Sequence, residues 1–181
     1  MSECINICPI GAVREDILFQ IARSINIRSR ILCNIISDIE APDYAYNITR
    51  RQYNAKMILQ NLIKCCPPNT LKFVGITDVD LYIPILKFVY GLTQIQGKCC
   101  IISTHRLLPQ FYGYPNDQDL FMSRLEKTVL HELGHSFGLT HCRNRSCVMY
   151  SSTRIDDTDF KNPYFCPTCL ELLKWYIERS S

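Results

Sequence analysis

Clustered charge of one sign is absent from this sequence. Its 20 Lys and Arg residues and 17 Asp and Glu residues give a formal net charge of +3, and they are scattered along the chain. A basic stripe is the electrostatic signature of proteins that bind nucleic acid or an anionic membrane surface. The scattered pattern therefore argues against both partners, and it gives no sign of a charged pocket that would select a substrate.

The sequence also lacks a long hydrophobic run. No apolar stretch approaches the ~20 residues that a helix needs to cross a bilayer. The first residues, MSECINICPIGAVRED, show no basic segment followed by an apolar core, which a secretory signal would require. We therefore expect a cytoplasmic protein that does not interact with membranes.

Internal repeats, low-complexity tracts and linker-like segments are missing as well. Residues 1–181 are therefore interpreted as a single domain. A chain of this length can bury a hydrophobic core, and 47% hydrophobic with 20% charged residues is typical of folded proteins.

Cysteine, in contrast, is abundant, with 11 residues in the chain. The number is odd, some cysteines are adjacent, and no export signal accompanies them, which favours metal binding over disulfides. Seven of them precede residue 101 and mostly have apolar neighbours, so we expect them to be small buried hydrophobic residues. These seven are Cys4, Cys8, Cys33, Cys65, Cys66, Cys99 and Cys100.

Hydrophobic periodicity predicts the order of helices and strands. Helices are predicted over 13–26, 49–66, 119–137 and 169–178, and strands over 3–10, 30–37 and 71–82, followed by a hairpin of 88–96 and 99–107. Helices that alternate with strands and then a hairpin indicate an α/β (α+β) fold with a mixed sheet and helices packed on it.

The segment HELGHSFGLTHC, residues 131–142, carries the main chemical signal. His131 and His135 lie four residues apart on the predicted helix, so both imidazoles can reach one zinc ion. Glu132 points to the side of that metal, where it can accept a proton from a zinc-bound water. Gly138 lets the backbone turn sharply, and His141 returns as a third ligand. Three protein ligands leave a position for water, as catalytic zinc sites do.

Four cysteines follow this motif at short intervals: Cys142, Cys147, Cys166 and Cys169. Four thiolates form a closed tetrahedral zinc site, and alternation in an extended segment lets His141 and Cys142 face different metals. The sequence thus predicts two Zn²⁺ ions per chain, one catalytic and one structural. Two alternatives stay open, namely four reduced buried cysteines and a site in which Cys142 replaces His141 on the first zinc.

The motif H-E-x-x-H-x-x-G-x-x-H followed by Met149 resembles that of the metzincin zinc peptidases, and the four cysteines look like those of the archaemetzincins. This resemblance implies a zincin/metzincin-like fold: a twisted mixed sheet, a backing helix, an active-site helix and a loop-rich C-terminal part held by zinc. It divides the domain into about 1–138 and about 139–181, and it places Met149 in a Met-turn beneath the histidines. Tyr150 directly follows that methionine and is expected to face elsewhere.

The predicted function is hydrolysis of peptide bonds, with zinc polarising the carbonyl and Glu132 transferring the proton to the leaving amine. The segment 89–96 is a plausible edge strand that would pair with an extended peptide substrate. His105 is interpreted as an ordinary surface or loop histidine. The alternatives are a zinc-dependent peptide-binding protein with little or no hydrolytic activity, and a redox or metal-buffering protein that uses its cysteines.

Overall fold

The computed structural model describes residues 4–180, and its N-terminal half is built on two β-sheets. The strands are β1 (Cys4–Ile10), β2 (Cys33–Ile35), β3 (Tyr46–Asn47), β4 (Gln52–Asn54), β5 (Thr70–Thr77), β6 (Leu81–Tyr82), β7 (Gly91–Thr93) and β8 (Cys99–Ser103). The helices are α1 (Glu15–Ser29), α2 (Ala55–Lys64), α3 (Gln118–Phe137), α4 (Ile155–Phe160) and α5 (Pro167–Ser180). The mixed α/β fold class predicted from the sequence is confirmed.

The larger sheet has the strand order β2-β1-β5-β8-β7. Its first four strands run parallel, and β7 closes the edge antiparallel to β8. Helices α1 and α3 pack on one face and α2 on the other, which is why the central strands are apolar on both sides. Strands β7 and β8 pair antiparallel with β7 at the edge, so the predicted hairpin and the edge position of its first strand are confirmed.

Helix α3 begins and ends close to the predicted residues because both caps are encoded locally. The Asp117 side chain accepts a hydrogen bond from the Leu120 N–H at 2.9 Å. Gly138, with φ of 114°, is left-handed and donates its N–H to the His135 carbonyl at 3.0 Å. These caps fix where α3 begins and where it ends.

Four of the predicted elements are wrong in their extent, and two of these, the strands predicted over 30–37 and 88–96, are the three-residue β2 and β7. The single strand predicted over 71–82 is two strands, because the chain turns at 78–80 and β6 joins the small sheet β3-β4-β6. The helix predicted from residue 49 begins only at Ala55, where the Asn54 side chain accepts hydrogen bonds from the N–H groups of Lys56 and Met57.

The C-terminal part packs around a separate apolar cluster that includes Leu139, Val148 and Met149. Helices α4 and α5 lie in this part, and α5 begins two residues earlier than predicted. Among residues 4–180, no helix combines the length and the apolar character that crossing a membrane would need.

The seven N-terminal cysteines differ in exposure. Cys8, Cys99 and Cys100 are buried, as expected for small hydrophobic residues. The expectation is wrong for Cys65, which is exposed because it follows the end of α2. Cys4, Cys33 and Cys66 are half-buried.

Candidate active site

Helix α3 and the turn after it bring three histidines together. His131 and His135 lie one turn apart, and their Nε2 atoms are 3.1 Å from each other. One ligand nitrogen from each of His131, His135 and His141 lies within 4.8 Å of the others. Tetrahedral ligands at 2.0–2.1 Å from zinc would be separated by roughly 3.3 Å, so the first pair is already at coordination spacing.

The hydrogen bonds of His131 and His135 leave Nε2 of each ring available to bind a metal. Nδ1 of His131 is 2.8 Å from the Val148 carbonyl, and Nδ1 of His135 is 2.7 Å from the Leu139 carbonyl. A carbonyl can only accept, so each Nδ1 carries the hydrogen and each Nε2 offers its lone pair. Burial lowers the pKa of His131 well below its usual value, which keeps the ring in the neutral form that metal binding requires.

Glu132 lies beside the histidines and is only 8% exposed. Burial raises the pKa of its carboxyl group to about 7, against a hydrogen bond from Thr93 that lowers it. The Thr93 hydroxyl donates this bond to Glu132 Oε2. Gly91 makes room for the same side chain, because a Cβ there would lie 2.8 Å from Glu132 Cγ and 2.8 Å from the Ile101 carbonyl oxygen.

A cavity of about 610 Å³ opens over these residues. Its lining includes the three histidines, Glu132 and strand β7, and several apolar residues from the segment before β7 complete the wall: Ile83, Leu86, Phe88, Val89 and Tyr90. An edge strand beside the candidate metal ligands offers unpaired backbone groups to an extended ligand.

Lys161 also lines this cavity, although the sequence suggested no charged pocket. The side chain is 2% exposed, and its Nζ donates to the Tyr150 carbonyl at 3.1 Å. Burial lowers the pKa of Lys161 to about 8. Charge patterning along the sequence detects only groups of neighbouring charges. It missed Lys161 because a single lysine, brought into the cavity by the fold, forms no such group.

The four downstream cysteines form a second donor set. Their sulfur atoms all lie within 4.8 Å of one another, and Cys142 Sγ is 3.8 Å from Cys166 Sγ. Ligands 2.3 Å from a tetrahedral zinc would be about 3.8 Å apart. A hydrogen bond from the Cys169 backbone lowers the pKa of the Cys166 thiol, and the Cys166 N–H points at Cys147 Sγ at 3.3 Å. Both contacts favour thiolates.

His141 and Cys142 are neighbours in the chain but belong to different donor sets. This separation is what alternation in an extended segment predicts. It disfavours the alternative in which Cys142 replaces His141 on the first metal.

Met149 and two other sequence candidates also have defined places. Met149 is fully buried, and a Cβ on Gly134 would collide with its sulfur, so the methionine packs directly under α3. Tyr150 does not line the cavity, as expected. His105 packs edge-to-face on Phe111 at a centroid distance of 5.3 Å and belongs to neither donor set.

Comparison with known proteins places this chain in a family. The family model of Peptidase family M54 matches residues 12–175. The archaemetzincin of Methanocaldococcus jannaschii is 39% identical over 166 residues, which cover 92% of this chain and 90% of that protein. The archaemetzincin of Pyrococcus furiosus is 39% identical over 185 residues and covers 99% of this chain and 96% of its own.

Solved structures agree with this placement. The crystal structure of archaemetzincin from Methanopyrus kandleri superposes with a TM-score of 0.87 at 30% identity, covering 98% of this chain and 97% of its own. A zinc-dependent peptidase from Methanocorpusculum labreanum superposes with a TM-score of 0.85 at 29% identity, covering 93% of this chain and 99% of its own. The chain belongs to Peptidase family M54, the archaemetzincins, and is a zinc metallopeptidase.

Proposed function

We propose that this chain hydrolyses peptide bonds with Glu132 as general base and general acid, and that it holds two zinc ions. His131, His135 and His141 would hold the catalytic ion, and Cys142, Cys147, Cys166 and Cys169 the structural one. The observation that carries the proposal is the position of Glu132, which is buried one residue after His131 and faces the same cavity as the three imidazoles.

Both donor sets fit zinc by their chemistry. The histidine set presents neutral nitrogens to a cavity with space for a further ligand, whereas the cysteine set offers four sulfurs to one point. When bound at the histidines, zinc supplies Lewis acidity that polarises a carbonyl and acidifies a water.

Glu132 supplies the proton chemistry. Its carboxylate takes a proton from the attacking water and later gives that proton to the leaving amide nitrogen. A pKa of about 7 suits a group that must both accept and donate near neutral pH. The Thr93 hydroxyl orients one carboxylate oxygen, which fixes the direction in which the proton is received.

Strand β7 orients the substrate. It is the edge of the larger sheet, and its residues Gly91–Thr93 line the cavity beside Glu132. An extended peptide can add to this edge by backbone hydrogen bonds, which brings its scissile bond alongside the histidines. The apolar wall then receives its side chains.

The cysteine site has a supporting role. It ties the loop after α3 to α5, and the same loop contains Val148, whose carbonyl orients the His131 ring. A zinc ion in this site would therefore stabilise the geometry of the catalytic centre without taking part in the reaction.

Replacing Glu132 by glutamine tests the proposal. The amide cannot accept the proton, so we expect kcat to fall by roughly 10²- to 10⁴-fold, as removal of a general base does. The zinc content should stay at two per chain, measured by elemental analysis. Glu126→Gln is the control, because Glu126 lies on the same helix and pairs with Arg28 away from the cavity.

Unchanged hydrolysis by Glu132→Gln would refute the role of this residue. A wild-type protein that holds both zinc ions and binds peptides without cleaving them would instead favour the peptide-binding alternative.

A further inference from the structure

A buried ammonium group with no salt bridge among residues 4–180 lines the catalytic cavity. Lys161 follows α4 directly and lines the same cavity as His131 and Glu132. Within residues 4–180, no carboxylate is at salt-bridge distance from its Nζ. Lysines are almost never fully buried unless they are paired, so this group needs an explanation.

Two of the three donors of this ammonium have no acceptor among residues 4–180. The Tyr150 carbonyl takes one hydrogen bond at 3.1 Å. His131 Nδ1 is 3.5 Å away, but it carries its own hydrogen toward the Val148 carbonyl and cannot accept another.

A second buried lysine close by shows the contrast. Lys127 directs its Nζ at two backbone carbonyls, those of Thr158 and Asp159, each at 3.1 Å, and it does not line the cavity. Two of its three donors are thus used by the fold itself. Lys161 has one such acceptor, the Tyr150 carbonyl, and it lines the cavity in which a substrate would lie.

The wall around Lys161 is also polar and short of anions. The Ser152 hydroxyl oxygen is sealed from solvent and has no hydrogen-bond partner among the described residues, and Ser152 lines the same cavity. Glu132 is the one carboxylate among the described residues of the lining; it attracts the Lys161 ammonium from beyond salt-bridge distance and accepts a hydrogen bond from Thr93. An ammonium with unfilled donors and an unpartnered hydroxyl, both lining one cavity, form a donor set suited to a carboxylate.

We propose that Lys161 and Ser152 form a subsite that binds a carboxylate of the peptide substrate next to the scissile bond. The carboxylate belongs either to an acidic side chain or to a free C terminus. The inference rests on the proposed function, because it assigns the substrate class of the same cavity. It places the subsite next to the reacting bond, since Lys161 lies against the ring of His131.

Matched quenched-fluorescence peptides test the subsite. In one series, the residue on either side of the scissile bond is Glu or Gln. In the other series, the peptide ends one residue after the scissile bond, with a free or an amidated C terminus. We expect kcat/KM to be about tenfold or more higher for the carboxylate of one pair, as loss of a charged hydrogen bond implies. The pair that responds identifies the source of the carboxylate.

Lys161→Met should remove this preference, with kcat/KM falling at least tenfold more for the carboxylate peptide than for its neutral partner. Lys87→Met is the matched control, because Lys87 lines the same cavity but is exposed at its rim. The control should keep the full preference. Ser152→Ala keeps the ammonium and should reduce the preference only in part, and it serves as the second variant if Lys161→Met does not fold.

Two results would overturn the inference. Wild-type protein that does not discriminate within any pair has no such subsite. An equal loss on charged and neutral peptides in Lys161→Met would show that the ammonium acts on the reacting carbonyl or on the fold.

A binding measurement separates this inference from the proposed function. Fluorescence anisotropy with labelled peptides on Glu132→Gln should give the same preference for the carboxylate, and Lys161→Met in that background should remove it. If Glu132→Gln prefers the carboxylate peptide in binding but the wild-type protein hydrolyses no peptide, the proposed function is refuted and the subsite is retained. Equal binding of both members of every pair would sink the subsite alone.

Discussion

The carboxylate of Glu132 is held by neighbours that lie far from it in the chain. Thr93 donates a hydrogen bond to Oε2 and also contacts the Glu132 carbonyl at 3.2 Å. Gly91 leaves the space that the side chain occupies. At the scale of single residues, the site therefore depends on strand β7 as much as on α3.

Gly91→Ala should impair catalysis more than folding. The new Cβ would lie 2.8 Å from both Glu132 Cγ and the Ile101 carbonyl oxygen, and because the latter is backbone the strand or the carboxylate must shift. A shift of this size can cost roughly 100-fold in kcat/KM. Gly113→Ala is the control for turnover: its φ of 79° makes the substitution cost some stability, but nothing lies within 4 Å of its Cβ position, so kcat/KM should stay unchanged. Equal turnover in the two variants would contradict this account of Gly91.

Thr93→Val should move the acid limb of the pH profile upward. Burial raises the pKa of Glu132 and the Thr93 hydroxyl lowers it, so removing that hydroxyl raises the pKa further. A general base must be ionised, so kcat/KM falls as the pH drops through its pKa, and in the variant this fall begins at a higher pH. Steady-state kinetics between about pH 5 and 9 on both proteins measure the shift. An unmoved acid limb would show that Thr93 does not tune the base.

Spacing along one helix made His131, Glu132 and His135 predictable from the sequence. His131, Glu132 and His135 lie within a single turn, and Gly138 encodes the exit. Thr93, Gly91 and Lys161 reach the cavity only through strand pairing and the path of the C-terminal loop. No local pattern marks such residues, since their proximity is a property of the tertiary fold.

At the scale of elements, the loop between α3 and α5 is held by the cysteine cluster and its apolar surroundings. Cys147 and Cys169 are buried in the same cluster as Met149, below the active-site helix. Loss of a ligand there should loosen the Val148 carbonyl that orients His131.

Cys169→Ser should release one zinc ion per chain and lower the melting temperature. Metal binding contributes folding free energy, and each kcal/mol lost lowers Tm by about 2–4 °C in a chain of this size. We expect a decrease of roughly 10 °C or more by calorimetry. The control is Cys65→Ser, which changes an exposed cysteine outside both donor sets and should leave zinc content and Tm unchanged. Two zinc ions in Cys169→Ser would contradict the structural site.

The whole molecule is a helix–sheet–helix arrangement that brings the edge strand to the end of α3. Periodicity predicted its main helices and the central strands β1, β5 and β8, because those segments are long or apolar throughout. The small sheet β3-β4-β6 escaped prediction because its strands have only two or three residues and because β3 and β4, unlike the equally short β2 and β7, lie outside apolar runs. The division at about residue 138 into an N-terminal and a C-terminal subdomain stays a prediction.

The central claim is that three imidazoles hold one zinc ion beside Glu132 while four sulfurs hold another. Anomalous diffraction from crystals of the zinc-loaded protein, recorded above and below the zinc edge, tests it most directly. We predict one peak between Nε2 of His131, Nε2 of His135 and the ring of His141. We predict a second peak among the four cysteine sulfurs. A map with no peak between the three histidine rings would contradict the account.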